Sequence, residues 1–177
     1  MTIDTSYITS AVHGSANDIR LKNEFDALVD EFGWWVVLRV MDLSKHSSYW
    51  NEELKEAPNG PAWEYTDYLV KARRVEIQRL TSEEMQKFGV QYNLGKIFYL
   101  KSNLTPKRED VIYSITTRLN PTVTAPQNVF AAEGFNIEEI ERKIEHGLVY
   151  NKCYCSYNVP RNNESIEGGF IVNNIIR

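Results

Sequence analysis

The sequence predicts an α+β fold in which β-structure dominates. The expected form is an antiparallel sheet or small β-barrel with an N-terminal helix, a long loop insertion and a second helix. Three observations lead there. Aromatic residues are abundant, with 10 Tyr, 7 Phe and 4 Trp against 3 Met, and aromatics pack well on a pleated surface. About six apolar stretches have the length and punctuation of strands. Only two longer stretches carry helical spacing. The 177 residues suit one domain, 1–177, with 43–65 as a protruding arm within it.

Residues 1–15 are polar and without period, an irregular lead-in. Ser15, Asn17 and Asp18 then offer N-caps to a helix. Leu21, Phe25, Leu28, Val29 and Phe32 form its apolar stripe, and Gly33 ends it. Trp34–Met41 comes next without a linker. It is β-branched and aromatic, so it reads as a strand buried on much of both faces.

Residues 43–65 break every period. A loop of this length inside a compact domain is usually functional. Pro58-Asn59-Gly60-Pro61 marks a tight turn at its tip. Trp50 and Trp63 bracket that tip. They are candidate interface residues, with a small local core between them as the competing reading.

Asp67–Arg79 is a long strand whose inward phase shifts, which a bulge near Arg73-Arg74 would explain. Thr81–Gly89 reads as a short helix with a Thr81/Glu84 capping box. Residues 90–100 and Val111–Arg118 are strands joined through a turn at Pro106–Asp110, a hairpin. Residues 120–136 read as a loop, since Pro121 and Pro126 bar a central strand. Phe130 and Phe135 have no evident core to join there. They are the other candidate interface residues, unless they fold back on the helix expected from Ile137 onward. Asn136 caps that second helix, with Ile137, Ile140 and Ile144 on one face and Gly147 as its stop. Glu138, Glu139 and Glu141 come early, and Arg142, Lys143 and His146 late, matching the helix dipole. Leu148–Val159 and Gly168–Ile176 make a closing hairpin.

A net charge of −4 argues against a general polyanion-binding surface. The basic clusters, Lys71-Ala-Arg-Arg74 and Lys107-Arg108, are short. No apolar run approaches the roughly 20 residues of a membrane span. Met1–Ser6 shows no basic region before an apolar core, so no secretory leader is expected. Cys153 and Cys155 would point to one face of a strand, poorly placed to bridge each other. Together with His13, His46 and His146 they match no metal-binding spacing. The adjacent pairs Glu52/Glu53, Glu83/Glu84 and Glu138/Glu139 point apart, and no nucleophile motif or phosphate loop is present. We therefore expect no catalytic, cofactor-binding or metal-binding residues.

Four pieces, in order, resemble the neck proteins of tailed bacteriophages, the head–tail connector or head-closure group. They are the helix ending at Gly33 and running into Trp34-Trp-Val-Val-Leu-Arg39; the insertion Trp50–Trp63 leading into Tyr68-Leu-Val-Lys-Ala-Arg-Arg74; Phe98-Tyr-Leu100 followed by Pro106-Lys-Arg-Glu-Asp110; and a closing hairpin passing through Pro160-Arg161. The resemblance spans about residues 20–177. Many members carry cysteine pairs in the insertion, where this chain has Ser48, Trp50, Gly60 and Trp63. A cysteine-pinned insertion is thus excluded here, and the two indoles could hold it by packing instead.

The resemblance implies a structural virion component that is not an enzyme and takes no cofactor. It would form a ring of six or twelve copies in the neck, assembled in the host cytoplasm. The portal or an adaptor protein would lie above it, and a tail or tail-terminator protein below. Genomic double-stranded DNA would be retained by it and then pass through its lumen without sequence recognition. An acidic chain suits such a channel, because like charges repel. No membrane is involved. The alternatives are a nucleic-acid-binding β-barrel and an enzyme acting on a small molecule.

Overall fold

The computed structural model describes residues 16–77, 83, 95–116, 119, 123–144, 148–157 and 170–177. The fold is α+β and β-dominated. It begins with helix α1 (Ala16–Phe32), which ends where Gly33 donates its N–H to Val29 O at 2.8 Å. A Cβ at Gly33 would lie 2.2 Å from that same oxygen, so only glycine lets the chain turn there directly into a strand.

Among the described residues nine strands come after it. They are β1 (Trp34–His46), β2 (Trp63–Ile77), β3 (Gly95–Lys101), β4 (Val111–Ile115), β5 (Gln127–Val129), β6 (Ala131–Ile144), β7 (Leu148–Tyr157), β8 (Phe170–Val172) and β9 (Asn174–Ile175). The main sheet runs β1-β4-β6-β7-β3-β2-β9, and β2 also pairs with β1. The pairings therefore run in a ring through six strands without making a closed barrel. β2 is the corner. Its first part pairs with β1 up to Ala72, and from Ala72 onward it pairs with β3. The two ladders share only that residue.

Alternate residues of all six strands fill the interior. Val36 and Leu38, Val70 and Ala72, Phe98 and Leu100, Ile112, Phe135 and Ile137, and Cys153 and Cys155 form one buried cluster. The outer face of β1, β2 and β4 carries Val37, Leu69, Val111 and Tyr113. These are covered by Val123, Val129 and Val172, the last two from the small sheet β5–β8. Val36, Val37 and Leu38 are all buried, so the middle of β1 is enclosed on both faces, as its composition predicts. Helix α1 lies over β7, β3 and β2. Val29 is fully buried, Phe25 packs on Tyr150 with ring centres 4.9 Å apart, and Asp30 pairs with Lys101.

Several expectations are corrected. The second helix is a strand: β6 runs through residues 131–144 and pairs with β4 and β7. Its register shifts between Ile137 and Glu139, so one extra residue separates Ile137 from Ile140, and both still meet the core. A bulge has turned a period of two into a local spacing of three, which imitates a helix in the sequence. Residues 120–136 are not one loop, because β5 and the start of β6 lie within them. β5 is a three-residue strand of a separate small sheet, so Pro126 just before it obstructs no central ladder.

The two forecast hairpins also fail. β3 pairs with β2 and β7, and β4 with β1 and β6, so the turn at 106–110 connects non-adjacent strands. Among the described residues β7 does not pair with the C-terminal segment, whose β8 joins β5 and whose β9 joins β2 in parallel. The phase shift of β2 comes from its change of partner at Ala72, and both ladders are regular there without a bulge at Arg73-Arg74. The expected helix over 81–89 lies, apart from Glu83, outside the described residues.

Candidate interface: the arm and the helix ridge

The insertion 43–65 is partly strand. β1 continues to His46 and β2 begins at Trp63, so the arm is the far end of a long hairpin with an irregular tip over 47–62. The tip is held by polar contacts within itself. Ser47 N–H donates to Ala62 O at 3.0 Å, and the Ser47 hydroxyl donates to Pro61 O. Asn51 Oδ1 accepts the N–H groups of Glu53 and Leu54 at 2.9 and 3.0 Å. Asn51 pairs with Glu56 across the turn, where Lys55 takes a positive φ of 55°.

Trp50 and Trp63 do come together, with ring centres 6.4 Å apart. The closer partner of each is His46, at 3.9 Å from Trp50 and 4.4 Å from Trp63, all nearly parallel. The one signal that the sequence offers for His46 is its place four residues before Trp50 in the same insertion. Beyond the stack lies an open groove of about 640 Å³, walled by Tyr49 and Trp50 and edged by Asn51, Glu52, Glu53 and Asn59. Glu52 accepts the Trp50 indole N–H at 3.1 Å and pairs with Lys55 at 2.8 Å. Those hydrogen bonds, Lys55 first, hold its carboxyl below the usual range. Leu54 stands 60% exposed on the tip.

The base of the arm is a rigid joint. Arg39 on β1 makes a two-pronged contact with Asp67 on β2, at 2.9 and 3.1 Å. Its guanidinium lies 3.9 Å from the Tyr65 ring centre and 4.9 Å from that of Tyr113. Burial opposes the charge, yet Asp67 keeps the guanidinium pKa above its ordinary value. Beside it, the fully buried Asp110 accepts the backbone N–H of Met41 at 3.0 Å and that of Lys107 at 3.1 Å. Lys107 Nζ reaches the same carboxylate at 2.6 Å. Burial nonetheless raises the Asp110 pKa.

A second apolar surface lies at the opposite end of the hairpin. Because α1 turns Val29 and Phe25 toward the sheet, its other stripe residues fall on a flank. Leu28 and Phe32 are 50% and 55% exposed, and Trp34, just past Gly33, is 71% exposed. Trp34 and Trp35 are neighbours on a strand and must face opposite ways. Trp35 packs against the outer core cluster, leaving Trp34 in the open.

Of the two aromatics expected at a loop interface, Phe130 is 47% exposed. Phe135 is not at the surface: it is fully buried in the ring interior, 5.2 Å from Phe98 and 5.1 Å from Tyr157. Placed on β6 opposite Ile112, it faces inward with the core residues of β4. Cys153 and Cys155 are free and buried in the same interior, and burial pushes both thiols up and away from reactivity. Among the described residues no group of three His, Cys, Asp or Glu is placed to hold a metal, while His13 and His146 lie outside them. No described helix is long and apolar enough to cross a membrane. No protein-family model, curated protein or solved structure matches this chain.

Proposed function

We propose that this chain is a structural, non-catalytic subunit that assembles with copies of itself into a ring in the neck of a tailed bacteriophage. It would stand between the portal side of the head and the tail and help to retain and pass the genome. The placement in a virion rests on the sequence resemblance. The observation that carries self-assembly is the pair of unlike apolar surfaces at the two ends of the β1–β2 hairpin. One is the ridge of Leu28, Phe32 and Trp34; the other is the arm tip with Tyr49 and Leu54. Twelve residue steps along β1 from Trp34 to His46, where the tip begins, put them about 40 Å apart. Exposed apolar patches of this kind mark protein contacts. Two different patches on one rigid element suit head-to-tail association, which closes into a ring when the rotation per copy permits.

The nucleic-acid alternative is less well supported. Lys71 is engaged by the Asp30 carbonyl and lies over Trp35, and Lys107 is engaged by Asp110. The test is sedimentation velocity of the purified protein with electron microscopy of the fastest species. A closed ring of uniform size is expected. A monomer at every concentration, or salt-dependent binding to single-stranded oligonucleotides, would overturn the reading.

A further inference from the structure

Resting on the ring reading, we propose that the groove in the arm tip receives a basic side chain of the next copy of the chain, and that this guest is Arg108. The groove is lined by Tyr49 and Trp50 together with Glu52 and Glu53, and no Lys or Arg lines it. Glu53 has no ion pair among the described residues, and Glu52 is fixed in place by the Trp50 indole N–H and Lys55. An aromatic face beside carboxylates is the surrounding that a guanidinium fills best, because it can stack and form hydrogen bonds at once.

The chain carries the complementary piece. Residues 107–110 form a tight turn in which Asp110 N–H donates to Lys107 O at 3.0 Å. Lys107 is consumed by Asp110, which leaves Arg108 as the exposed cation of that turn. The buried Asp110 carboxylate holds the turn from beneath, so Arg108 is presented on a rigid base. Arg73 is also exposed, but it lies within a strand, whereas a turn projects. Within one copy the turn sits at the foot of the arm, next to Met41, and the groove lies beyond His46 at its tip. Guest and host are therefore separate surfaces. Each copy offers its groove to one neighbour and its turn to the other, the asymmetric contact that ring closure needs.

The test uses the full chain and a charge exchange. Glu53→Arg and Arg108→Glu should each raise the dissociation constant of self-association about tenfold or more in sedimentation velocity. Both should melt as the parent does, because both sites are exposed. An equimolar mixture of the two variants should assemble again, since Arg at 53 then meets Glu at 108 across one contact and the parental pair meets across the next. Single variants that assemble like the parent, or a mixture that stays dissociated, overturn this contact while leaving the ring intact. A parent that is itself monomeric overturns the ring and the contact together.

Discussion

The ring-like body and the arm are built from the same two strands by different means. In the body, β1 and β2 contribute alternate side chains to an interior shared with four other strands, and almost every partner is distant in sequence. In the arm, the same strands run on with only each other for support. The tip is held within itself, by the His46–Trp50–Trp63 stack and by hydrogen bonds that the Ser47 hydroxyl donates and Asn51 Oδ1 accepts. Burial stabilises the body, while local geometry shapes the arm. Damage to one should therefore be global, and damage to the other confined.

The largest effect should come from the ring interior. Phe98→Ala or Phe135→Ala should each cost about 3–5 kcal/mol in urea unfolding, the usual result of emptying a packed aromatic site. Phe130→Ser, five residues from Phe135 but half in solvent, should change stability by less than about 0.5 kcal/mol. Equal losses at Phe130 and Phe135 would mean that the division between interior and surface is drawn wrongly here.

The joint between the regions comes next. Arg39→Ala leaves Asp67, whose side chain is only 12% exposed, without its partner. A loss of about 2–3 kcal/mol is expected, since the buried carboxylate is left uncompensated. A double-mutant cycle with Asp67→Ala should return much of that as coupling; additive losses would show that packing alone matters.

Asp110→Asn should cost about 1–3 kcal/mol, because an amide cannot accept all three hydrogen bonds made to the carboxylate. Its pH dependence has a definite sign. Burial raises this carboxyl above its ordinary 3.8. Its contribution is thus full below that value and fades as pH rises through the higher folded one. The stability gap between parent and variant should be wider at pH 4 than at pH 7. A gap that widens with pH would instead mean that the ion pair to Lys107 outweighs burial.

The smallest effect belongs to the arm. Deleting residues 51–61 joins Trp50 to Ala62, whose carbonyl already accepts the Ser47 N–H. The melting temperature should stay within a few degrees of the parent, since shortening a surface loop changes closure entropy little. Assembly, by contrast, should be lost. Global unfolding of the deletion variant would place the arm inside the cooperative unit.

The same division explains how much the sequence disclosed. Helix α1 and strands β1 to β4 are legible because their signals are local: a stripe of Leu21, Phe25 and Val29 stopped by Gly33, or runs of β-branched and aromatic residues. β6 is not, because its register shift between Ile137 and Glu139 gives Ile137 and Ile140 a helix-like spacing, and its dipole-matched charges deepen the disguise. Which strands pair is not local information at all. β3 and β4 are consecutive and joined by a turn, yet their partners are set by the interior that all six strands must fill together. In the candidate interface, Trp50 and Trp63 stand out by composition. His46 and Trp34 become visible only once one ring is stacked and the other is left without cover, and Arg108 only once Lys107 is spent on Asp110.

The glycine junction at residue 33 has a mechanical consequence. With no linker between α1 and β1, the helix and the arm tip lie at opposite ends of one strand. A load applied between them travels along the backbone of β1. The hydrogen bonds to β2 and β4 cross that axis, so they are strained sideways all at once instead of parting in turn. A strand clamped in this way transmits tension with little extension. A subunit gripped at its arm by one neighbour and at its helix by another would pass strain around a ring, and no single copy would have to absorb it.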